Sequence, residues 1–234
     1  MRIILIGICY GLYIILQMLR GYVGRIIDIT LGKEKGQEYK NKKFLEWAKF
    51  TNKILGLNIA VIGKENIPNE ACVFISNHQS ILDITVLVAS ANRPIGFIGK
   101  KELLKIPVLS YWMKQVHCVP IDRGNVREAI KVINQGVQNL EKGYSMGIFP
   151  EGTRAKDGVM RPFKKGSLKL ATRAKVKIVP VAISGANKAY ELEGKFKKAD
   201  IKITFGEAID TSDLDKEEER NLTEKIESFI KNNL

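Results

Sequence analysis

The sequence predicts an α/β domain in which a mixed, largely parallel sheet is flanked by helices and preceded by membrane-associating helices. Short β-branched and aromatic runs alternate with helical segments, polar turns separate them, and the N-terminal region is strongly apolar. The chain has 234 residues, of which 45% are hydrophobic and 27% charged, as is typical of a folded protein. We expect residues 1–57 to associate with a membrane and residues 58–234 to form the α/β domain.

Net charge and cysteine content narrow the class of protein. A net charge of +13 favours an anionic partner such as anionic lipid, a phosphorylated substrate or nucleic acid. The three cysteines are far apart and form no C-x-x-C pair, which argues against a disulfide framework or a structural zinc site and fits a reducing, cytoplasmic environment. With two histidines, a histidine-rich metal centre is not expected.

An apolar run from Ile3 to Leu19 opens the chain. As a helix it is about 26 Å long, which predicts a membrane-spanning or membrane-embedded segment. A signal peptide and a buried core helix are the alternatives, although a small-x-small cleavage pattern is missing. A second apolar segment, 22–31, contains two charges and predicts a helix that lies in the interface or turns back. A full span and a hairpin that dips into one leaflet both stay open.

An amphipathic helix is predicted from Gln37 to Leu57. Its lysines are Lys40, Lys42, Lys43, Lys49 and Lys53, and its larger aromatic residues are Phe44, Trp47 and Phe50. Such a basic face with aromatic residues suits anionic lipid headgroups. The alternative is a solvated charged face on a helix that packs against the domain.

Strands and helices alternate from residue 58 onward. The predicted strands are 59–62, 71–75, 95–98, 118–121, 146–149, 178–183 and 201–205. The first predicted helix follows the second strand and ends near residue 91, and a short one begins at Gly99 and stops before Pro107. The others cover 109–115, 126–142, 166–174 and 217–231. In an open α/β sheet, ligands bind beyond the carboxyl ends of the strands. We therefore expect the functional residues in the turns that follow the strands.

A polar turn at residues 76–80 follows the second strand and carries the first candidate site. His78 lies in this turn, and Asp83 lies five positions later on the next helix. A histidine and a carboxylate so placed can form a general base and the group that orients it. The same stretch fits a second interpretation, since Ser80 and Asp83 match an S-x-x-D capping box, which requires no catalysis.

A second turn, F-P-E-G-T-R at 149–154, also follows a strand. It brings the carboxylate of Glu151, the hydroxyl of Thr153 and the guanidinium of Arg154 together around Gly152. Gly152 allows a positive φ or a close backbone approach. Arginine offers a rigid fork that suits phosphate oxygens. The alternative is a surface turn closed by a Glu–Arg salt bridge.

Two weaker candidates follow neighbouring strands. Arg123 lies in an I-D-R-G turn, and Lys100 lies near the start of a predicted helix. Together with Arg154 they would place several cations beside His78 at one edge of the sheet. This combination predicts base catalysis on a phosphorylated substrate. The basic pair 164–165 adds charge beyond that site and fits a solvated face.

These motifs resemble those of the glycerolipid acyltransferases. H-x-x-x-x-D at 78–83, I-D-R at 121–123, F-P-E-G-T-R at 149–154 and V-P at 179–180 follow the order and spacing of the family, over residues 58–205. Two departures occur. Residues 116–120 read V-H-C-V-P where many relatives have a glycine and a phenylalanine, and residues 155–156 replace the common Ser-Arg. They affect local acceptor contacts rather than the chemistry.

The resemblance is strongest to the enzymes that acylate 1-acylglycerol-3-phosphate, or lysophosphatidic acid. It implies transfer of a fatty acyl group from acyl-CoA or acyl carrier protein to the free sn-2 hydroxyl, which gives phosphatidic acid in phospholipid biosynthesis. His78 would be the general base and Asp83 its orienting partner. No metal, no further cofactor and no covalent acyl-enzyme are implied.

The resemblance also implies roles for substrate-binding residues. These are Arg123 and Arg154 for the acceptor phosphate, Glu151 and Gly152 for the glycerol site, and Val179 and Pro180 for acyl-donor binding or site structure. The implied location is a membrane with anionic lipids, with the catalytic domain facing the cytoplasm. Acylation of another lysolipid, such as a lyso-ornithine lipid or lysophosphatidylglycerol, is the main alternative. A catalytically inactive scaffold and a nucleic-acid-binding protein are more distant ones, and no helix-turn-helix or zinc-finger pattern supports the last.

Overall fold

One seven-stranded sheet organises the described part of the chain, which covers residues 2–122, 126–164 and 166–234 of a computed structural model. Its strands are β1 (Leu57–Ile62), β2 (Val73–Ser76), β3 (Gly96–Lys100), β4 (Val119–Ile121), β5 (Met146–Ile148), β6 (Ile178–Ser184) and β7 (Ala199–Phe205). They are ordered β1-β7-β6-β2-β5-β3-β4. All neighbouring pairs among them are parallel except β6 and β7. The predicted mixed, largely parallel sheet is confirmed.

Helices cover both faces of this sheet. They are α1 (Arg2–Thr30), α2 (Lys33–Leu55), α3 (Asp83–Ala91), α4 (Pro107–Gln115), α5 (Val126–Glu141), α6 (Lys169–Ala174) and α7 (Lys216–Asn232). Short 3-10 turns occupy Lys64–Asn66, Lys101–Lys105 and Ala186–Ala189. The short helix predicted to begin at Gly99 and stop before Pro107 starts later than expected, because β3 continues to Lys100, and it is a 3-10 helix rather than an α-helix.

The strand β2 contributes side chains to two hydrophobic layers, because successive side chains on a strand point to opposite faces of the sheet. Phe74 lies in the layer formed with α2, α3 and α4, and Ile75 lies in the layer formed with α5, α6 and α7. Both side chains are fully buried. Since β2 lies between β5 and β6, the turn after it adjoins the ends of both neighbours. Those three turns form the candidate site.

The N-terminal region is a hairpin of two antiparallel helices. α1 is one continuous helix of 29 residues, about 44 Å long at 1.5 Å per residue. The prediction of a separate or returning helix at 22–31 is therefore wrong. The chain turns at Gly32 instead, where φ is 93°, and α2 runs back along α1. Phe44 and Ala48 of α2 are buried in the same layer as Phe74, so α2 packs against the sheet domain.

Ion pairs join α1 and α2 along their length. Lys40 donates to both carboxylate oxygens of Asp28 at 2.9 and 3.0 Å, and its side chain is 6% exposed. Arg20 pairs with Glu46 at 3.1 Å. The inclusion of Lys40 in a lipid-facing basic surface is therefore wrong, since this lysine points into the hairpin and neutralises a carboxylate of α1.

Aromatic side chains extend the same seam toward the N-terminus. The rings of Tyr13 and Phe50 stack with centroids 3.8 Å apart. Trp47 donates its indole N–H to the Tyr10 hydroxyl at 3.1 Å. Phe50 and Trp47 thus pack against α1, and Phe44 packs in the domain core. These contacts correct the expectation that the aromatic residues of α2 meet lipid.

The opposite face of α1 is apolar and exposed. Its exposed side chains include Ile4, Leu5, Ile8, Leu12, Ile15, Leu16, Leu19, Tyr22, Val23, Ile26 and Ile29. By length and composition, the segment Ile4–Thr30 is apolar enough to cross a membrane, and little of it is buried within the protein. α1 therefore combines a polar and aromatic face bound to α2 with an unpaired apolar face.

Candidate active site

The turn after β2 places a histidine directly against a buried carboxylate. The distance between His78 Nδ1 and Asp83 Oδ2 is 2.8 Å, and the Asp83 side chain is fully buried. With Asp83 ionised, Nδ1 carries the proton of a neutral imidazole and donates it to this oxygen, which leaves Nε2 as the free base. The His78 side chain is 13% exposed. The geometry is that of a base and its orienting group.

The same carboxylate also fixes the turn that precedes α3. Asp83 Oδ2 accepts the backbone N–H groups of Gln79 at 2.7 Å and Ser80 at 2.8 Å. The Ser80 hydroxyl does not complete a capping box with Asp83 and instead accepts from Leu82 N at 3.1 Å. The predicted capping box is therefore not formed, and one oxygen of Asp83 instead holds the turn before α3 and the imidazole.

Glu151 of the F-P-E-G-T-R turn holds the backbone of His78. Its Oε1 accepts from His78 N at 2.6 Å, and its Oε2 accepts from Arg161 N at 2.7 Å. The backbone N–H of Ala155 donates to the His78 carbonyl at 2.7 Å. Glu151 is buried, with 3% of its surface exposed. This carboxylate therefore fixes the turn that carries His78 rather than presenting a charge to solvent.

Phe149 forms one wall of the imidazole site. Its ring stacks on His78 with centroids 4.0 Å apart and an interplanar angle of 14°. The ring of Phe97 in turn stacks on that of Phe149, with their centroids 5.7 Å apart. Sequence reasoning did not single out Phe149. The signal available in the sequence was the position of Phe149 directly after β5. This strand is the neighbour of β2 in the sheet, and His78 follows β2.

Asn77 connects the turn that carries His78 to β6 through two hydrogen bonds. Its side chain accepts from Ile183 N and donates to Ile183 O, both at 2.8 Å. The amide thus continues the hydrogen bonding of the sheet one residue beyond β2, where the backbone has already turned away. Asn77 and Glu151 together fix both sides of His78.

Arg154 is held by a carboxylate that sequence reasoning missed. Its Nη1 pairs with Glu191 Oε1 at 3.0 Å, and the Arg154 side chain is 35% exposed. A Glu–Arg pair was an alternative interpretation of this turn, but the predicted partner was Glu151. No sequence signal distinguished Glu191, because another glutamate, Glu193, lies two positions further on in a segment without a motif.

Gly152 and its neighbours form the outer part of the turn. Gly152 has a φ of 70°, and a Cβ added there would lie 2.7 Å from Lys164 Nζ. The glycine therefore lets the lysine chain pass close to the backbone, which places Lys164 beside the site rather than beyond it. Thr153 is exposed. Lys100 is also exposed, at the end of β3, and pairs with Glu102 at 3.2 Å.

The remaining predicted residues fall into two groups. Val179 and Pro180 are fully buried within β6, where Pro180 lies opposite Ile75 in the register with β2. Of the two roles suggested for these residues, this position fits site structure better than acyl-donor binding. Arg123 lies outside the described residues. Among the described residues, no group of three or more potential ligands could hold a metal ion, and metal-free chemistry stays a prediction.

Burial governs the electrostatics of the two carboxyls at the site. It raises the pKa of Asp83 above the ordinary value of 3.8, against the opposing effect of the hydrogen bond with His78. It likewise raises the pKa of Glu151, against the N–H groups of Arg161 and His78. The ionised forms of Asp83 and Glu151 are therefore stabilised by the hydrogen-bond donors described above.

Comparison with known proteins places the chain in a family. A family model described as acyltransferase matches residues 58–184. The chain is 36% identical over 151 residues to a chloroplast 1-acyl-sn-glycerol-3-phosphate acyltransferase of Brassica napus, covering 63% of this chain and 44% of that protein. It is 33% identical over 177 residues to the Saccharomyces cerevisiae enzyme of the same name, covering 74% and 58%. The chain thus spans less than two thirds of the length of these relatives.

A solved structure supports the same assignment. The chain resembles the crystal structure of the 1-acyl-sn-glycerophosphate acyltransferase PlsC from Thermotoga maritima, with a TM-score of 0.75 and 26% identity over 95% of both chains. The family match covers more than half of this sequence and includes the turns that carry His78, Glu151 and Arg154. The chain belongs to the acyltransferase family.

Proposed function

We propose that this protein transfers a fatty acyl group from an acyl thioester to the sn-2 hydroxyl of 1-acylglycerol-3-phosphate, giving phosphatidic acid. The observation that carries the proposal is the 2.8 Å contact between His78 and the buried Asp83, with the opposite ring nitrogen left as a base. The names of the relatives from Brassica napus, Saccharomyces cerevisiae and Thermotoga maritima support the choice of acceptor.

The reaction follows from the protonation states of His78. Nε2 takes the proton of the sn-2 hydroxyl as the oxygen attacks the thioester carbonyl. The resulting imidazolium is stabilised by Asp83 through Nδ1–H. When the tetrahedral intermediate collapses, the C–S bond breaks and the thiolate takes the proton from Nε2. The products are the ester and the free thiol, and the imidazole is neutral again.

Arg154 is the ligand that we propose for the acceptor phosphate. Lys100 and Thr153 are further candidates, as is Arg123, which lies outside the described residues. A partly exposed guanidinium next to the catalytic turn suits phosphate oxygens. Gly152 and Glu151 would shape the glycerol site. Glu151 would do so through the backbone of His78, since both of its oxygens accept N–H groups.

Membrane association is part of this proposal, because the acyl chains of both substrates reside in a bilayer. The contacts between α1 and α2 extend from Tyr10 to Asp28 of α1. A helix bound along its length to α2, which packs on the sheet domain, favours an in-plane position with the apolar face in one leaflet. The domain would then face the cytoplasm, and the net charge of +13 would favour anionic lipids.

The membrane proposal is tested with the full chain. Leu12 and Ile15 are 63% and 56% exposed on the apolar face. Leu12→Glu/Ile15→Glu should reduce co-flotation with vesicles of phosphatidylethanolamine and phosphatidylglycerol. Lys198→Glu, an exposed change on the sheet domain, is the control. Equal flotation of the apolar-face variant and the wild type would refute the placement of α1.

The catalytic proposal is tested with purified protein in detergent or vesicles. Lysophosphatidic acid, lysophosphatidylglycerol and lyso-ornithine lipid compete as acceptors, and acyl-CoA and acyl carrier protein thioesters are tried as donors. We expect phosphatidic acid as the main product. Preference for another lysolipid would replace the acceptor and keep the chemistry, whereas no transfer with any pair would reject the function.

A further inference from the structure

Glu191 joins the two turns that build the candidate active site. It follows β6 and belongs to none of the motifs found in the sequence. Its Oε1 accepts from Arg154 Nη1 at 3.0 Å and from the backbone N–H of Ile81 at 2.8 Å. Ile81 lies on the turn between His78 and Asp83. A single carboxylate oxygen therefore contacts both the catalytic turn and the candidate phosphate ligand.

We propose that Glu191 is a positioning residue that holds Arg154 ready to bind the phosphate of the acceptor. The proposal rests on the proposed function and deepens it. Glu191 itself does not touch the substrate in this arrangement, because its side chain is 2% exposed. It acts through the guanidinium.

The carboxylate of Glu191 is buried and therefore needs a charged partner. A buried ionised carboxylate is unfavourable unless a cation and hydrogen bonds compensate it. Glu191 Oε2 is buried and meets no hydrogen-bond donor within residues 2–122, 126–164 and 166–234. The bond from Ile81 N could be made equally well by a neutral amide oxygen. The negative charge of Glu191 is therefore explained by Arg154.

The arrangement leaves Arg154 able to bind an anion. A guanidinium has five N–H donors, and within the described part of the chain a hydrogen bond is formed by Nη1 alone. With 35% of its side chain exposed, Arg154 is also partly open to solvent. A flexible arginine would have to be ordered when the phosphate arrives, which weakens binding. The ion pair with Glu191 removes that cost in advance.

The backbone around Glu191 is itself fixed. Leu192 N donates to Asn187 O at 3.2 Å, Gly194 N to Tyr190 O at 2.8 Å and Lys197 N to Ala189 O at 2.9 Å. These bonds close the segment that follows the 3-10 turn Ala186–Ala189. The carboxylate is therefore presented from a defined position, as a positioning role requires.

Glu193 provides a matched control. It is two residues from Glu191, and its side chain is 56% exposed and paired with Lys197 on the surface. Glu193→Gln removes the same charge from the same segment without reaching Arg154. Differences between Glu191→Gln and Glu193→Gln therefore report on the buried contact and not on net charge.

The experiment is a double-mutant cycle in the full-length protein. Michaelis constants for lysophosphatidic acid and for the acyl donor that the wild type accepts are measured for Glu191→Gln, Arg154→Ala, the double variant and Glu193→Gln. We expect Glu191→Gln to raise the constant for lysophosphatidic acid about tenfold and to leave that for the donor within about twofold. In the Arg154→Ala background, Glu191→Gln should add less than about twofold.

Several outcomes would overturn the proposal. A lower Michaelis constant for lysophosphatidic acid in Glu191→Gln would mean that Glu191 competes with the phosphate for Arg154. Equal effects on acceptor and donor, or additive effects in the double variant, would indicate a merely structural role. If Glu191→Gln does not fold, Glu191→Asp decides, since a folded variant with wild-type constants would contradict positioning. If the wild type prefers another anionic lysolipid, the proposed acceptor fails but the same cycle is run with that lipid.

Discussion

The ring of Phe149 lies flat against the imidazole of His78, with their centroids 4.0 Å apart and their planes 14° from parallel. Asp83 fixes one ring nitrogen, and Phe149 fixes the plane of the ring. The imidazole of His78, the proposed general base, is thus held by a hydrogen bond at its edge and by a hydrocarbon surface on its face.

Phe149→Leu should lower turnover while preserving the fold. Aromatic stacking contributes about 0.5–1.5 kcal/mol beyond burial, which corresponds to roughly a two- to tenfold change in rate. We expect kcat to fall within that range because the imidazole loses its orientation. Phe229→Leu on α7 makes the same change in the other hydrophobic layer and should leave kcat unchanged. Similar kcat values for both variants would contradict the orienting role of Phe149.

His78→Ala should abolish turnover without unfolding the protein. Loss of a general base typically costs about 10²–10⁴-fold in rate. His117 offers the control, since it lies in the left-handed region with a φ of 60°, which asparagine tolerates. His117→Asn should therefore remain active. Thermal unfolding of both variants checks the fold, and near-normal acyl transfer by His78→Ala would remove this residue from the mechanism.

Asp83 should make the stability of the protein depend on pH in the acidic range. Burial raises its pKa in the folded state above the ordinary value of 3.8. A raised folded-state pKa contributes stability that is fully present below the unfolded value and is lost as pH rises through the folded value. The wild type should therefore lose unfolding free energy relative to Asp83→Asn as pH rises from about 3.8.

Denaturant unfolding of the two proteins across this pH range measures the difference. The amide oxygen of Asp83→Asn can still accept from the backbone N–H groups of Gln79 and Ser80, but the amide does not titrate. A difference that stays constant with pH would show that the pKa of Asp83 is the same in the folded and unfolded states. Acyl transfer by Asp83→Asn should also fall, because an amide does not stabilise the imidazolium of His78.

Glu151→Gln should destabilise the protein and reduce its activity. Both carboxylate oxygens accept backbone N–H groups, from His78 and Arg161. The amide nitrogen of glutamine cannot accept, so one partly buried N–H loses its partner at a cost of about 1 kcal/mol, the low end for a buried donor. Denaturant unfolding measures this loss, with Glu141→Gln on the exposed face of α5 as the control. Unchanged stability would show that the two bonds are dispensable.

The fold was largely predictable from the alternation of strands and helices. The central strands β2, β5 and β6 are buried, so their apolar runs stand out between polar turns, and β2 with its polar turn is the clearest case. The N-terminal region was harder to interpret. The charges at Arg25 and Asp28 looked like an interruption of the apolar helix, whereas Asp28 is neutralised by Lys40 from α2. A pairing between helices cannot be inferred from periodicity within one helix.

The contact between His78 and Asp83 was predictable because the two residues are close in sequence. The supporting residues were not, for two different reasons. Glu151 carries a charge that indicates a binding role, but its burial makes it an acceptor of backbone N–H groups. Glu191 lies more than 30 residues beyond Arg154, and nothing in its neighbourhood separates it from the exposed Glu193.

The two hydrogen bonds between Asn77 and Ile183 connect positions 106 residues apart. During synthesis, the H-x-x-x-x-D motif leaves the ribosome long before its anchoring strand exists. Contacts of such sequence separation form late, because the entropy of closing the loop must be overcome first. We expect a nascent chain to acquire acyltransferase activity only after β6 has emerged. α1 is synthesised before β2 and β6, so the polypeptide would meet the lipid surface before the proposed site is complete.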